Sequence, residues 1–518
     1  MKKNLIISLL AIFLWSSCSE WLDLRPESEI VLEDYWKTEA QASSVLAACY
    51  RGLQLDPVVE RMLIWGELRS DNVVEGNSGR LDLLRILSVN ITPTNNYANW
   101  GDFYAVINYC NTFLHFAPGV VKSDPNFNVN KLKTMEAEAL AIRALSYFYL
   151  VRTFREVPLI LEPSIDDTQD YNVPKATERA IIDQIIADLL KAKTTVRSDY
   201  GRGAYNKGRI TLNAVNALLA DVYLWDQQYQ NCINVCNEIL NDKSLKLVEG
   251  KKLLNLVFSE GNSTESIFEL QYDKDNQHNN TVNIFLGYGG NPSGELSFPL
   301  FLTRRGNFSP FNYAASAVKE SEKDIRETNF VGTSVNGTGF HIYKYALVEA
   351  TENADETVTP RYRPASSTAN WIVYRLPDVI LMKAEALVQL GESNETNLRE
   401  ALRMVNETYL RSNLTADSLL FVNYSNQSDM EKLVLRERQR ELMFEGKRWF
   451  DLIRLVRRKG DPSALLPYIS PKLSGDNMQI KKLSVMDALY MPILKREMEI
   501  NTRLVQNPFY DENSEFMK

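Results

Sequence analysis

Three histidines, His115, His278 and His341, are the only imidazoles in the chain. None lies in a His-Glu-x-x-His pattern or beside a cysteine cluster, so zinc-assisted hydrolysis has no ligand set. No Gly-x-Ser-x-Gly elbow and no glycine-rich phosphate loop occurs either. Glycoside hydrolysis needs two carboxylates facing one cleft. Glu441 and Glu445 are spaced for one helix face, but Arg438, Arg440 and Arg448 surround them, so they read as ion-pair partners. What the chain does offer is the chemistry of holding a sugar: flat aromatic faces for the apolar side of a ring, and amides and guanidiniums for its hydroxyls. The candidate ligand-binding residues are Asn77, Arg80, Asn95 and Tyr97 in the first half, and Tyr288, Phe308 and Phe311 in the second. Asn283 and Trp371 stand beside the second group. Trp65 and Trp100 lie in helical settings and read as core.

The cysteines carry two further readings. Cys232 and Cys236 share one helix face, either as two metal ligands or as small core residues. With no histidine nearby, the core reading is favoured. Cys18 is different. Met1-Lys2-Lys3 is a basic start, Leu5 to Trp15 an apolar run too short to span a bilayer, and Ser16-Ser17 a small-residue junction before Cys18. That is an export signal, and residues 1–17 are its expected extent. A cysteine at the expected cut looks like a bacterial lipoprotein signal, with Cys18 as the lipid attachment and Trp15 where leucine is usual. The whole chain of 518 residues carries a net charge of −8. Removing the first 17 deletes two lysines and no acids, which leaves −10 and argues against sequence-blind nucleic-acid binding.

The elements that must position these residues are mostly helices. Residues 209–240 read as a helix hairpin, with Ala217, Ala220, Tyr223 and Leu224 on one helix and Tyr229, Cys232, Cys236 and Ile239 on the other. Those spacings are tetratricopeptide-like. One hairpin cannot bury its own apolar face, so others must flank it. Three further pairs are expected: 40–53 with 98–115, 132–154 with 176–193, and 372–390 with 396–411. Pro118-Gly119 is expected to end the second helix of the first pair, and Gly391 to cap the first helix of the last. Residues 430–458 read as helix with a break at Gly446. Arg454, Arg457, Arg458 and Lys459 at its end read as a capped terminus in preference to an anion site. Between about 247 and 369 the chain is loop-rich, with strand-like runs at 267–272 and 340–345. The expected fold is thus mainly α, a tetratricopeptide-like hairpin stack with a loop-rich second region containing short strands.

Several motifs resemble the SusD/RagB family of Bacteroidota outer-membrane lipoproteins. They are Trp21-Leu22-Asp23 after Cys18, Asp34-Tyr35-Trp36-Lys37, Glu136-Ala137-Glu138-Ala139 running to Arg152, Tyr374-Arg375-Leu376-Pro377-Asp378, Arg436-Glu437-Arg438 with Arg440-Glu441-Leu442, and Gly446-Lys447-Arg448-Trp449-Phe450-Asp451. The likeness extends over nearly the whole chain. In the tail, Leu494, Thr502 and Phe509 stand where the family often has Pro, Pro and Gly. The resemblance implies one domain over 18–518: helical repeats at about 40–240 and 372–411, the insertion at about 247–369, and C-terminal helices and tail at about 430–518. It implies a surface lipoprotein of the outer membrane that binds a nutrient, usually an oligosaccharide, and caps a SusC-type TonB-dependent transporter. It implies a binding protein, not an enzyme, with no metal or other cofactor. A peptide-binding or purely protein-docking scaffold is the alternative.

Overall fold

The computed structural model describes residues 35–73, 80–165, 168–273, 278–287, 310–311, 324–333, 340–352, 358–364, 368–392, 394–473, 477–511 and 514. Helix α1 (Glu39–Leu53) opens on a capping box, with Thr38 and Gln41 satisfying each other's backbone donors. Its buried face is Ala42, Leu46, Cys49 and Leu53, at spacings of four and three. Helix α2 (Asp56–Leu63) starts with proline in its first turn and runs into a π-helical turn, Ile64–Leu68. The short α3 (Leu81–Leu87) follows.

Helix α4 (Gly101–Ser123) packs on α1 as the first hairpin. It does not stop at Pro118 as expected. Ala117 and Val120 are fully buried on either side, so packing of that last turn outweighs the one hydrogen bond that proline removes. Helix α5 (Val129–Phe154) is the central post: every residue from Ala137 to Phe154 is buried. Its charged residues from Glu138 onward are therefore not a solvated side. Glu138 meets Arg209 at 2.6 Å, Arg143 meets Asp188 at 2.8 Å and Arg152 meets Asp221 at 3.2 Å. Helix α6 (Glu178–Lys193), capped by Thr177, completes the second hairpin.

After the short α7 (Gly203–Gly208) come α8 (Leu212–Trp225) and α9 (Tyr229–Leu240), the third hairpin. Their turn holds Gln227 at φ +60°. Cys232 and Cys236 are buried with Sγ atoms 4.0 Å apart, against the carbonyl of Met382. They serve as core, and among the described residues no cluster suited to a metal ion occurs.

The short antiparallel strands β1 (Val157–Pro158) and β2 (Lys175–Ala176) pair after the second hairpin's first helix. The insertion is closed at its base by β3 (Ser266–Leu270), which pairs with a strand a hundred residues on. Within it lie α10 (Asn280–Leu286), α11 (Ile325–Phe330) and two small hairpins, β4 (Val331–Thr333) with β5 (Phe340–Ile342) and β6 (Leu347–Glu352) with β7 (Val358–Tyr362). The closing strand β8 (Trp371–Arg375) sets Leu270 opposite Trp371. Residues 371–375 were expected to start a helix. They are strand because β3 supplies a partner and both strands are buried throughout.

Helix α12 (Leu376–Gln389) pairs with α13 (Glu395–Ser412) as the fourth hairpin, and α9 packs on α12. Gly391 does follow α12, for a steric reason: a Cβ there would lie 2.5 Å from Leu398. Helix α14 (Gln427–Leu442) is separated from α15 (Arg448–Lys459) by a turn with Phe444 and Gly446 at positive φ. Gly446 backs onto Gly66 so closely that a Cβ on Gly66 would overlap its carbonyl. The tail, with α16 (Leu466–Ile469), α17 (Asn477–Leu483) and α18 (Lys495–Ile500), returns to the first half. There Met491 N–H donates to Thr153 O at 2.8 Å, and Arg69 donates to the carbonyls of Leu489 and Ala488. One continuous apolar core joins both halves.

Candidate functional site

Three of the predicted ligand residues converge. Asn95 caps the 3₁₀ turn Asn96–Ala98: its Oδ1 accepts from Tyr97 N–H at 3.0 Å and its Nδ2 donates to Asp82 O at 3.0 Å. Trp65 supports the same turn by donating from Nε1 to Tyr97 O at 2.8 Å. The turn thereby aims the Tyr97 hydroxyl at Glu60 on α2, 3.2 Å away. Arg80, at the start of α3, reaches both: Nη1 lies 3.3 Å from Glu60 Oε1 and 3.4 Å from Tyr97 Oη. Arg80 Cζ also stands 5.5 Å from the ring centre of Phe285 on α10. Helix α10 is tied to α2 by Asn280, which donates to Asp56 Oδ2 at 2.8 Å. The insertion and the connection between α1 and α4 thus meet at this cluster.

Burial raises the Glu60 carboxyl, and Arg61 and Arg80 pull it back. Burial, with the Glu60 charge adding to it, pushes the Tyr97 phenol up to about 12. At neutral pH that phenol keeps its proton and can donate a hydrogen bond but cannot act as a base. The Arg80 side chain is 41% exposed. Tyr97 is itself only 7% exposed, so its ring is core; its hydroxyl holds the partly exposed Arg80 and Glu60 in place, a cation and a carboxylate that can meet a hydroxyl-bearing ligand.

The other candidates divide. Asn95 is fully buried and shapes the turn from beneath. Phe311 is buried at 4% exposure within the core, so its ring is not a surface platform, and Asn283 is buried on α10. Trp371 stacks on Tyr345 in the interior, and Trp65 and Trp100 are core. Asn77, Tyr288, Phe308 and Cys18 lie outside the described residues. Glu60 and Phe285 went unnoticed in the sequence. Asp56-Pro57 followed by Val58, Val59, Met62 and Leu63 is a helix-start pattern that would have revealed α2.

Glu441 and Glu445 are consumed by ion pairs, but not with the arginines of their own helix pair. Glu441 meets Arg326, Arg375 and Arg411; Glu445 meets Lys344 and Arg375. Arg438 turns to Asp378 and Asp451, and Arg448 to Asp71. Both glutamates are buried, so neither faces a cleft. Arg454 and Arg458 meet Glu385, Arg457 meets Glu178 and Lys459 meets Glu431, which leaves no anion site there. An open groove of about 500 Å³ lies elsewhere, between α13 and residues 418–421.

Stacked helix hairpins carrying a loop-rich insertion define a helical-repeat scaffold, with the Arg80–Glu60–Tyr97 cluster where the insertion meets it. Residues 318–510 match the family described as SusD family, and residues 20–224 match the one described as starch-binding associating with outer membrane. The chain belongs to the SusD family. SusD-like protein P38 of Formosa agariphila is 27% identical over 489 residues, covering 87% of this chain and 91% of its own. A SusD-like protein of Bacteroides ovatus is 22% identical, covering 92% and 86%. Among solved structures, a SusD homolog from Bacteroides thetaiotaomicron superposes with a TM-score of 0.70 at 20% identity, covering 92% of this chain and all of that one. A laminarin-binding SusD-like protein superposes at 0.65 with 24% identity, covering 92% and 100%.

Proposed function

We propose that the chain is a lipid-anchored outer-membrane binding protein that takes an oligosaccharide at the Arg80–Glu60–Tyr97 cluster and caps a SusC-type TonB-dependent transporter during uptake. The observation that carries this reading is the convergence of those three side chains, within 3.2–3.4 Å of one another, at the junction of repeat and insertion. The neighbour named for laminarin binding supports a saccharide as the ligand. Nothing in the cluster's chemistry calls for bond breaking, and the role is binding, not catalysis. Lipid attachment is at Cys18. Calorimetric titration of the soluble chain (Cys18→Ala) against neutral oligosaccharides tests the reading. Saturable heat whose affinity Arg80→Ala weakens about tenfold supports it; an affinity unchanged by that variant refutes the site.

The docking-scaffold alternative has one observation in its favour. Leu420 and Val422 are 62% and 77% exposed beside the α13 groove, a surface suited to an apolar peptide. Heat with peptides and none with sugars would favour it.

A further inference from the structure

The chain is acidic overall, yet one surface segment is not. Between α6 and α8, residues 197–209 carry Arg197, Arg202, Lys207 and Arg209 against one acid, Asp199. Two of these cations are engaged. Arg209 grips Glu138 at 2.6 Å, and Lys207 donates to Ser266 O at 2.5 Å. Arg197 and Arg202 are not: both are exposed, and neither has a carboxylate partner among the described residues. Each lies beside a tyrosine instead, with Arg197 Cζ 5.8 Å from the Tyr200 ring centre and Arg202 Cζ 5.4 Å from that of Tyr205. Tyr205 itself is 49% exposed. Of the other exposed arginines, Arg179, Arg399 and Arg503 find acids, while Arg51 and Arg496 do not among the described residues.

The segment is held in shape. The Asp199 carboxylate accepts from Gly201 N–H and Asn206 Nδ2, each at 2.7 Å. Asn206 Oδ1 accepts from Tyr200 N–H at 2.6 Å, and the Tyr200 hydroxyl donates to Ile210 O at 3.0 Å. The one acid is therefore occupied in building the loop. Around Gly201 and Gly203 the space a Cβ would occupy is open, so the backbone on either side of Arg202 is accessible to a ligand. A guanidinium fork matches the geometry of a carboxylate or sulfate. An exposed tyrosine ring takes the apolar face of a sugar.

We propose that residues 197–209 form a second saccharide-binding surface, selective for acidic oligosaccharides bearing uronate or sulfate groups. It shares no residue with the Arg80–Glu60–Tyr97 cluster and stands or falls independently of it. The test uses the full soluble chain (Cys18→Ala), titrated with a galacturonate tetramer, a sulfated galactan tetramer and a neutral glucan tetramer at low and high salt. At least one acidic tetramer should bind saturably, and more weakly as salt screens the charges. Arg197→Gln/Arg202→Gln should weaken that binding about tenfold or more, the loss of charge-assisted hydrogen bonds, and Tyr205→Ala should weaken it too. Arg80→Ala should leave it unchanged. All three sites are exposed, and unchanged melting curves would exclude unfolding as the cause. The proposal is overturned if neither acidic tetramer binds, or if acidic binding survives in the double variant. Retention on anionic phospholipid vesicles without tetramer binding would also overturn it, and would make the segment a membrane contact.

Discussion

Arg80 and Asn95 belong to one cluster but do opposite work, and substitution separates them. Arg80 is partly exposed and reaches the side chains of Glu60 and Tyr97, so Arg80→Ala should weaken oligosaccharide binding about tenfold while the melting temperature holds. Asn95 is fully buried and caps the turn beneath Tyr97. Asn95→Ala should cost about 1 kcal/mol of stability, seen in a denaturant titration, with affinity lost only as far as the turn loosens. Glu67 makes a second residue-scale case. Buried on the π-helical turn, it accepts from Asn72 Nδ2, Phe444 N–H and Gly446 N–H, with the Lys344 charge also acting on it. Burial still raises its carboxyl from 4.5 to about 7. An acid whose folded value lies above the unfolded one binds its proton more tightly when folded. Its ionisation therefore lowers stability as pH rises from about 4.5 through 7, by about 3 kcal/mol in all. Glu67→Gln should flatten that decline. Urea unfolding at pH 5 and pH 8 would show a smaller difference for the variant than for the wild type; an equal difference would sink the account.

At the scale of elements, α14 is where the insertion is fastened. Arg326 at the start of α11 meets Asp324, Glu437 and Glu441, all four buried. Burial alone would raise Glu441, yet Arg411, Arg375 and Arg326 hold it well below the usual carboxylate range. Removing Arg326 takes a buried cation from three buried carboxylates at once, although Glu441 keeps Arg375 and Arg411 and Glu437 keeps Arg440, so Arg326→Ala should cost about 3–5 kcal/mol. Limited proteolysis should then cut the insertion before the repeats. Equal protection in both proteins would show that β3–β8 pairing suffices. The four hairpins were legible in the sequence because apolar residues at spacings of three and four dictate which helix faces are buried. Residues 371–375 were not, because only β3, a hundred residues earlier, makes them strand. The partners of Glu441 were illegible for the same reason: Arg375 and Arg326 arrive from other elements. The site was half legible. Arg80, Asn95 and Tyr97 stood out by type, but Glu60 depended on seeing α2, and the burial of Phe311 on knowing what covers it.

For the whole molecule the question is what keeps it at a membrane. No helix among the described residues is long and apolar enough to cross one. The chain's net charge of −8, falling to −10 once residues 1–17 are removed, gives no general attraction to anionic lipid. The proposed attachment is at Cys18, and the physics of acyl chains sets what that would take. Each buried methylene contributes about 0.8 kcal/mol, and a single chain gives only reversible binding, so stable residence needs two or more chains on the one cysteine. A diacylated Cys18, as proposed, would supply them. Cys18→Ala should therefore abolish metabolic labelling with palmitate and move the protein from the membrane pellet to the soluble fraction, while sugar binding by the purified chain is unaffected. Persistent labelling would place the lipid on another residue. Loss of labelling with retention in the pellet would mean that a protein partner, such as the proposed transporter, holds the chain there without its lipid.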